Sequence, residues 1–217
     1  EMISEEHDRQ EINYLVAEIA NDMDELDNLV KELLLYSRFS SHPIKLDIQP
    51  IRLPDALNRI VTRQKITNKR ILEIDILNST KKSIELTAQP FYFKLAIQNL
   101  LSNAVHYAFH KIWIRYDRIA EGVRIEVCDD GPGIPLEARH IVLEPFTRLD
   151  GSRDRKTGGA GLGLAIVSRI LERHGGTMSI SDNHGHGTRF ITFWPSNKEA
   201  LNVQTVTSNV QRPMQEK

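Results

Sequence analysis

The sequence predicts an α+β protein: a sandwich of a mixed, largely antiparallel sheet with helices on one face, preceded by a long heptad-patterned helix. Three observations carry this expectation. Ile12, Val16, Ile19, Met23, Leu26, Val30 and Leu33 recur in steps of four and three, one apolar seam with acidic residues between its members. From Pro43 onward, short alternating apolar runs interchange with amphipathic helical stretches. The later strands follow one another through connections short enough for hairpins.

The heptad seam is too narrow to be satisfied by an isolated helix in water, so it calls for a partner helix, within the chain or from a second copy. No second helix of matching pattern follows. An ordinary core-facing helix is the other reading, and the unbroken stripe speaks against it. Ser40-Ser41-His42-Pro43 ends the helix, since proline removes an N–H and disfavours its continuation. Residues 1–41 are therefore expected to be set apart from a mixed unit at 42–196.

In that unit Ile44, Leu46 and Ile48 alternate as a strand would, and Leu53 to Gln64 reads as a helix opened by Pro54 and Asp55. Leu72, Ile74 and Ile76 alternate again, and Ser83 to Ala88 is a further strand. A helix from about Pro90 to His110 puts Phe93, Ile97, Leu100, Leu101 and Ala104 on its apolar side. Strands at Ile112 to Asp117 and Val123 to Asp129, a glycine-rich region, a helix from Gly161 to His174, and strands at Thr177 to Asp182 and Thr188 to Trp194 complete the order. Residues 197–217 are polar without apolar period and are expected to be a disordered tail.

Composition sets bounds. The 217 residues, 40% hydrophobic and 26% charged, suit one full domain and a smaller element. With 28 basic and 29 acidic side chains, bulk charge gives no reason to expect nucleic acid as a partner. The single cysteine, Cys128, rules out an internal disulfide and falls in an alternating apolar run, as a buried strand residue would. No apolar run approaches the roughly 18 to 20 residues that cross a bilayer. The chain opens at Glu1 rather than Met, which suggests a fragment.

Two amides and two glycine clusters carry the chemistry. Asn99 and Asn103 stand one turn apart on the helix, where carboxamide oxygens suit Mg²⁺, a hard cation that also accepts phosphate oxygens. Asp129-Asp130-Gly131-Pro132-Gly133 sets a carboxylate in a tight turn, able to accept a hydrogen bond from a base amine. Gly158-Gly159-Ala160-Gly161-Leu162-Gly163-Leu164 runs into a helix whose N-terminal N–H groups can meet phosphate. A dinucleotide site is the rival reading of that run, but no strand immediately precedes it.

In this order, with Glu144-Pro145-Phe146-Thr147-Arg148 between the glycine clusters, the motifs resemble the catalytic ATP-binding domain of sensor histidine kinases. That family lies in the GHKL group with gyrase, Hsp90 and MutL-type ATPases. The resemblance covers residues 10 to 195 and implies a Bergerat-type fold, ATP and Mg²⁺. It implies Asn103 as the metal ligand with Asn99 beside it, Tyr107 packed on adenine, and Asp129 bonded to the adenine amine, with Gly131, Gly133 and Ile134 in the same turn. His106 stands where the family often has a lysine facing the phosphates, and is the less charged residue near neutrality. Phe146 would anchor a lid. Arg148, Arg153, Arg155 and Lys156 make that segment cationic, although a solvated charge run is the ordinary explanation. Gly159, Gly161, Leu162, Gly163 and Leu164 would cradle phosphate, and Gly185-His186-Gly187-Thr188 would end the fold as a structural turn, with Thr188 at the site. His174, at a helix end, is read as a cap rather than a catalyst.

By the same resemblance the heptad helix is the second helix of a dimerisation and phosphoacceptor hairpin. His7 imitates the acceptor, but Arg9-Gln10-Glu11 follows it in place of the family's apolar, proline-containing signature, so the acceptor is expected upstream. A homodimer, a response-regulator partner and a cytoplasmic position in a membrane-anchored inner-membrane sensor are implied. Two rivals stay open: an ATP-hydrolysing clamp and a nucleotide-binding regulatory module without turnover. Hydrolytic members carry a glutamate one turn before the metal-binding asparagine, and this chain has Asn99 there.

Overall fold

A computed structural model describes residues 2–41, 46–67, 70–79, 83–149, 160–183 and 185–196. In chain order these form α1 (Met2–Ser41), β1 (Gln49–Arg52), α2 (Leu53–Thr67), β2 (Glu73–Asn78), β3 (Glu85–Ala88), α3 (Pro90–Tyr107), β4 (Lys111–Ile119), β5 (Gly122–Asp129), α4 (Gly163–Arg173), β6 (Thr177–Asp182) and β7 (Thr188–Pro195). Short 3-10 turns at Leu136–Ala138 and Ile141–Leu143 precede α4.

Five strands form the main sheet in the order β2-β4-β5-β7-β6, while β1 and β3 pair alone. β4 with β5, β5 with β7 and β7 with β6 are antiparallel. β2 joins β4 in parallel, with Ile74 opposite Ile112 and Ile76 opposite Ile114. Parallel neighbours need a crossover, and β3 with α3 supplies it. The sheet is therefore mixed and largely antiparallel, as expected, although its first pair is not a hairpin.

Alternation along the strands sorts the two faces. Ile112 and Ile114, Val123, Ile125 and Val127, and Phe190 and Trp194 are buried on one face. Against them pack Phe93, Ile97, Leu100 and Leu101 of α3, Ile166, Ile170 and Leu171 of α4, and Leu57 and Ile60 of α2 in one core. Buried polar groups there are paired: Trp194 Nε1 donates to Thr192 Oγ1 at 3.1 Å, and Thr192 Oγ1 to the Ile125 carbonyl at 3.0 Å. The opposite face carries ion pairs, among them Arg124 with Asp117 and Lys111 with Glu73 and Asp75.

Several boundaries differ from expectation. No strand covers residues 46–48, and residues 44 and 45 lie outside the described residues. Pairing starts at Gln49, opposite Ala88, in the register that sets Ile51 across from Leu86 with both buried. α2 continues to Thr67. α3 stops at Tyr107 rather than near His110, because Ala108 leaves the helix at φ −56°, ψ 143°. α4 begins at Gly163, since Gly161 has φ +73°, outside the right-handed helical region. The expected tail at 197–217 lies outside the described residues.

α1 presents its seam to solvent: Ile12, Val16, Ile19, Met23, Leu26, Val30 and Leu33 are all exposed. The reading of α1 as an ordinary core-facing helix therefore fails along most of its length. Its last turns do dock. Phe39 is buried, 4.8 Å centroid to centroid from Tyr92, and the Arg173 guanidinium donates to the Phe39 carbonyl.

Candidate functional site

A cavity of about 550 Å³ opens between α3, the end of β5, the turn after it and the start of α4. Helical spacing explains the first wall. With Phe93, Ile97, Leu100 and Ala104 facing the sheet, Asn99, Ser102, Asn103, His106 and Tyr107 are turned to the cavity. The His106 ring meets the Tyr107 ring edge-on at 4.5 Å.

Asp129 closes the far end. It is the last residue of β5 at an inward position, and its side chain is buried for that reason. Its Oδ1 accepts from the Gly131 N–H at 2.9 Å and the Thr188 N–H at 3.1 Å. Burial raises its pKa above the ordinary carboxylate value, and those backbone donors pull the other way. The β6–β7 turn holds it from behind: Asn183 Nδ2 donates to the Asp129 carbonyl at 3.1 Å. Gly187, at φ +80°, leaves no room for a Cβ against that carbonyl. The neighbouring Asp130 has a separate task, accepting from the Phe109 N–H at 2.8 Å and the His110 N–H at 3.0 Å. Burial acts to raise its pKa, but the backbone donors prevail and hold it below the ordinary value.

At the other end Thr147, Arg148, Gly161, Gly163 and Leu164 line the cavity. Among the described residues no side chain caps the N-terminus of α4, which leaves its first N–H groups to an anion. Gly133, Ile134 and Thr188 complete the lining near Asp129. Three expected site residues sit elsewhere. Leu162 is fully buried in the core, Gly131 serves the turn rather than the wall, and Phe146 is exposed at φ +64°. Arg153, Arg155, Lys156 and Gly159, and the side chain of His7, lie outside the described residues.

The carboxamide oxygens of Asn99 and Asn103 are the kind of donor a magnesium ion takes. Asn99 Nδ2 is buried without a hydrogen-bond partner, and a Cβ at Gly163 would sit 3.1 Å from Asn99 Oδ1. An N–H donor left unpaired among the described residues expects an acceptor such as a phosphate oxygen, whereas a cation would take the carboxamide oxygens. Two contributors carry no motif signal. Glu32 of α1 lines the cavity, and burial raises its pKa. Arg70, between α2 and β2, bonds to the end of α3. Their positions outside the heptad seam and the glycine runs left nothing in the sequence to mark them.

His174 lies outside the cavity. Its Nδ1 donates to the Ile170 carbonyl at 2.7 Å and its Nε2 accepts from the Gln89 N–H at 3.1 Å, which fixes a neutral ring joining the end of α4 to the start of α3. Burial lowers its pKa.

The family model for histidine kinase-, DNA gyrase B-, and HSP90-like ATPases matches residues 89–198. The sensor protein RstB of Escherichia coli is 34% identical over 176 residues, 80% of this chain and 40% of the relative. The sensor histidine kinase CpxA of the same organism is 29% identical over 182 residues, 84% of this chain and 40% of the relative. Among solved structures, full-length ShkA in complex with AMPPNP aligns with a TM-score of 0.74 at 26% identity, over 85% of this chain and 39% of that one. The Acinetobacter baumannii histidine kinase AdeS shares the fold, with a TM-score of 0.70 at 21% identity over 85% of both chains. The chain spans 40% of the length of the first two curated relatives.

Proposed function

Because the chain belongs to the histidine kinase-, DNA gyrase B- and HSP90-like ATPase family, on its sensor histidine kinase side, we propose that it binds Mg²⁺-ATP in the cavity and donates the γ-phosphoryl group to a histidine. The observation that carries the reading is the pairing of a base-reading carboxylate, Asp129, with two amides, Asn99 and Asn103, across one cavity. Asp129, held as an acceptor by two backbone N–H groups, suits the adenine amine and disfavours guanine, whose corresponding group also accepts. Tyr107 supplies a ring for the base. Asn103, with Asn99 beside it, would hold Mg²⁺, which neutralises phosphate charge when bound. The α4 N-terminus and Arg148 bind the phosphates, and His106 stands at their edge.

An amide at position 99 gives water no general base there, which favours transfer over hydrolysis. The acceptor histidine belongs to a hairpin of which α1 is the second helix, with the exposed seam of α1 facing a second copy. Relay to a response regulator, and placement in the cytoplasmic part of a membrane-anchored sensor, complete the reading for the whole protein.

The test is incubation of the chain with γ-labelled ATP, with and without a separate helical hairpin that bears a histidine. Label on the added histidine, lost in Asn103→Asp, is the expected result. Steady phosphate release without acceptor would instead establish a hydrolase, and neither outcome with ATP bound would leave a regulatory module.

A further inference from the structure

We propose that Arg70 is a positioning residue for the adenine end of the nucleotide site, acting through Tyr107. The inference rests on the nucleotide reading above. Arg70 stands between α2 and β2 and is not among the residues that line the cavity. Its Nη1 donates to the Val105 carbonyl at 2.8 Å and the His106 carbonyl at 2.9 Å, and its Nη2 to the Ala108 carbonyl at 2.6 Å.

Those carbonyls belong to the last turn of α3 and the residue after it, where a helix leaves oxygens unpaired and partly negative. A planar guanidinium can reach several oxygens in fixed directions, and an ammonium cannot reproduce that fork. Between these bonds lies the Tyr107 carbonyl, set so closely against the next turn that a Cβ at Gly131 would come within 2.5 Å of it. Immediately beyond, the N–H groups of Phe109 and His110 are taken by the Asp130 carboxylate. A cation therefore holds the carbonyls of Val105, His106 and Ala108, and an anion holds the N–H groups that follow. Tyr107 emerges from the part held between them, and the same turn carries Asp129. Loosening Arg70 releases the ring at the base end and leaves the α4 end of the cavity untouched.

Calorimetric titration of the whole chain with ATP, adenosine and tripolyphosphate, each with Mg²⁺, tests this in the parent, Arg70→Gln and Arg70→Lys. In Arg70→Gln, ATP and adenosine should weaken by the same factor, about tenfold, with tripolyphosphate unchanged. Arg70→Lys should fall between, because it keeps the charge and loses the fork. Amide exchange at Phe109 and His110 should accelerate in both variants. Parent-like adenosine binding by Arg70→Gln would overturn the inference, as would equal weakening of all three ligands. A parent that binds tripolyphosphate but no adenosine would overturn the nucleotide reading itself.

Discussion

The main-chain N–H of Phe146 donates to the carbonyl of Gly161 across 3.0 Å, and both residues have positive φ, 64° and 73°. This bond ties the segment that brings Thr147 and Arg148 to the cavity directly to the residue that precedes α4 by two positions. Glycine adopts such a backbone freely, whereas for Phe146 it costs about 1–2 kcal/mol.

Gly161→Ala should break that tie. The added Cβ would lie 2.8 Å from the Thr147 carbonyl oxygen and 2.9 Å from the Phe146 carbonyl carbon, at a φ alanine disfavours. We expect a loss of about 1–3 kcal/mol in unfolding free energy and a weaker affinity for ATP than for adenosine relative to the parent. Denaturant unfolding with nucleotide titration checks both, and an unchanged ATP-to-adenosine ratio would remove the phosphate role of this wall.

Asp129→Asn should separate stability from recognition. An asparagine oxygen can keep the Gly131 and Thr188 bonds, while its nitrogen replaces the acceptor offered to adenine. Burial raises the folded-state pKa of Asp129, so its linkage contribution is fully present below the ordinary value of 3.8 and is lost as pH rises through the raised value. At pH 7 the variant should therefore melt no lower than the parent, yet bind ATP about tenfold or more weakly. A large drop in melting temperature with ATP binding retained would contradict the assignment.

His174 should make the fold acid-sensitive. Its folded-state pKa is depressed by burial, so its stabilising contribution is present above the ordinary value of 6.5 and is lost as pH falls from there through the depressed value. Protonation would also put a donor on Nε2, opposite the Gln89 N–H that now donates to it. The melting temperature of the parent should fall between pH 7 and pH 5, and His174→Gln should start lower and vary less over that range. Parallel curves for the two would refute the role.

Glu32→Gln should tighten ATP binding. The residue brings a carboxylate to a cavity that is to receive a polyanion, and burial already raises its pKa. Removing the charge should improve ATP affinity about threefold at low salt, less at high salt, with adenosine unaffected. Weaker ATP binding in the variant would mean that Glu32 serves the metal instead of opposing the phosphates.

The local pattern was enough to read the helix faces and the motif order. Residues 93, 97, 100, 101 and 104 face the core as their spacing requires, which turns Asn99 and Asn103 to the cavity. Partnerships over long separations were not legible. The parallel pairing of β2 with β4 depends on the path of α3, and no local repeat encodes it. Glu32 lines the cavity from α1 and Arg70 bonds the end of α3 from the segment between α2 and β2, partnerships that only the folded chain creates. Gly187 was recognisable as a turn residue, but its closeness to the Asp129 carbonyl depends on how β5 and β7 register.

For inhibitor design, the presence of Glu32 in the cavity wall shifts where selectivity can be found. On the reading proposed above, an adenine mimic would be confined to the Asp129 and Tyr107 end of the cavity. A cationic arm extended from such a mimic toward α1 would meet a half-buried carboxylate that belongs to the helix and not to the ATP-binding fold. Compounds of that shape would discriminate by the carboxylate that α1 brings to the cavity wall, and should lose the added affinity in Glu32→Gln.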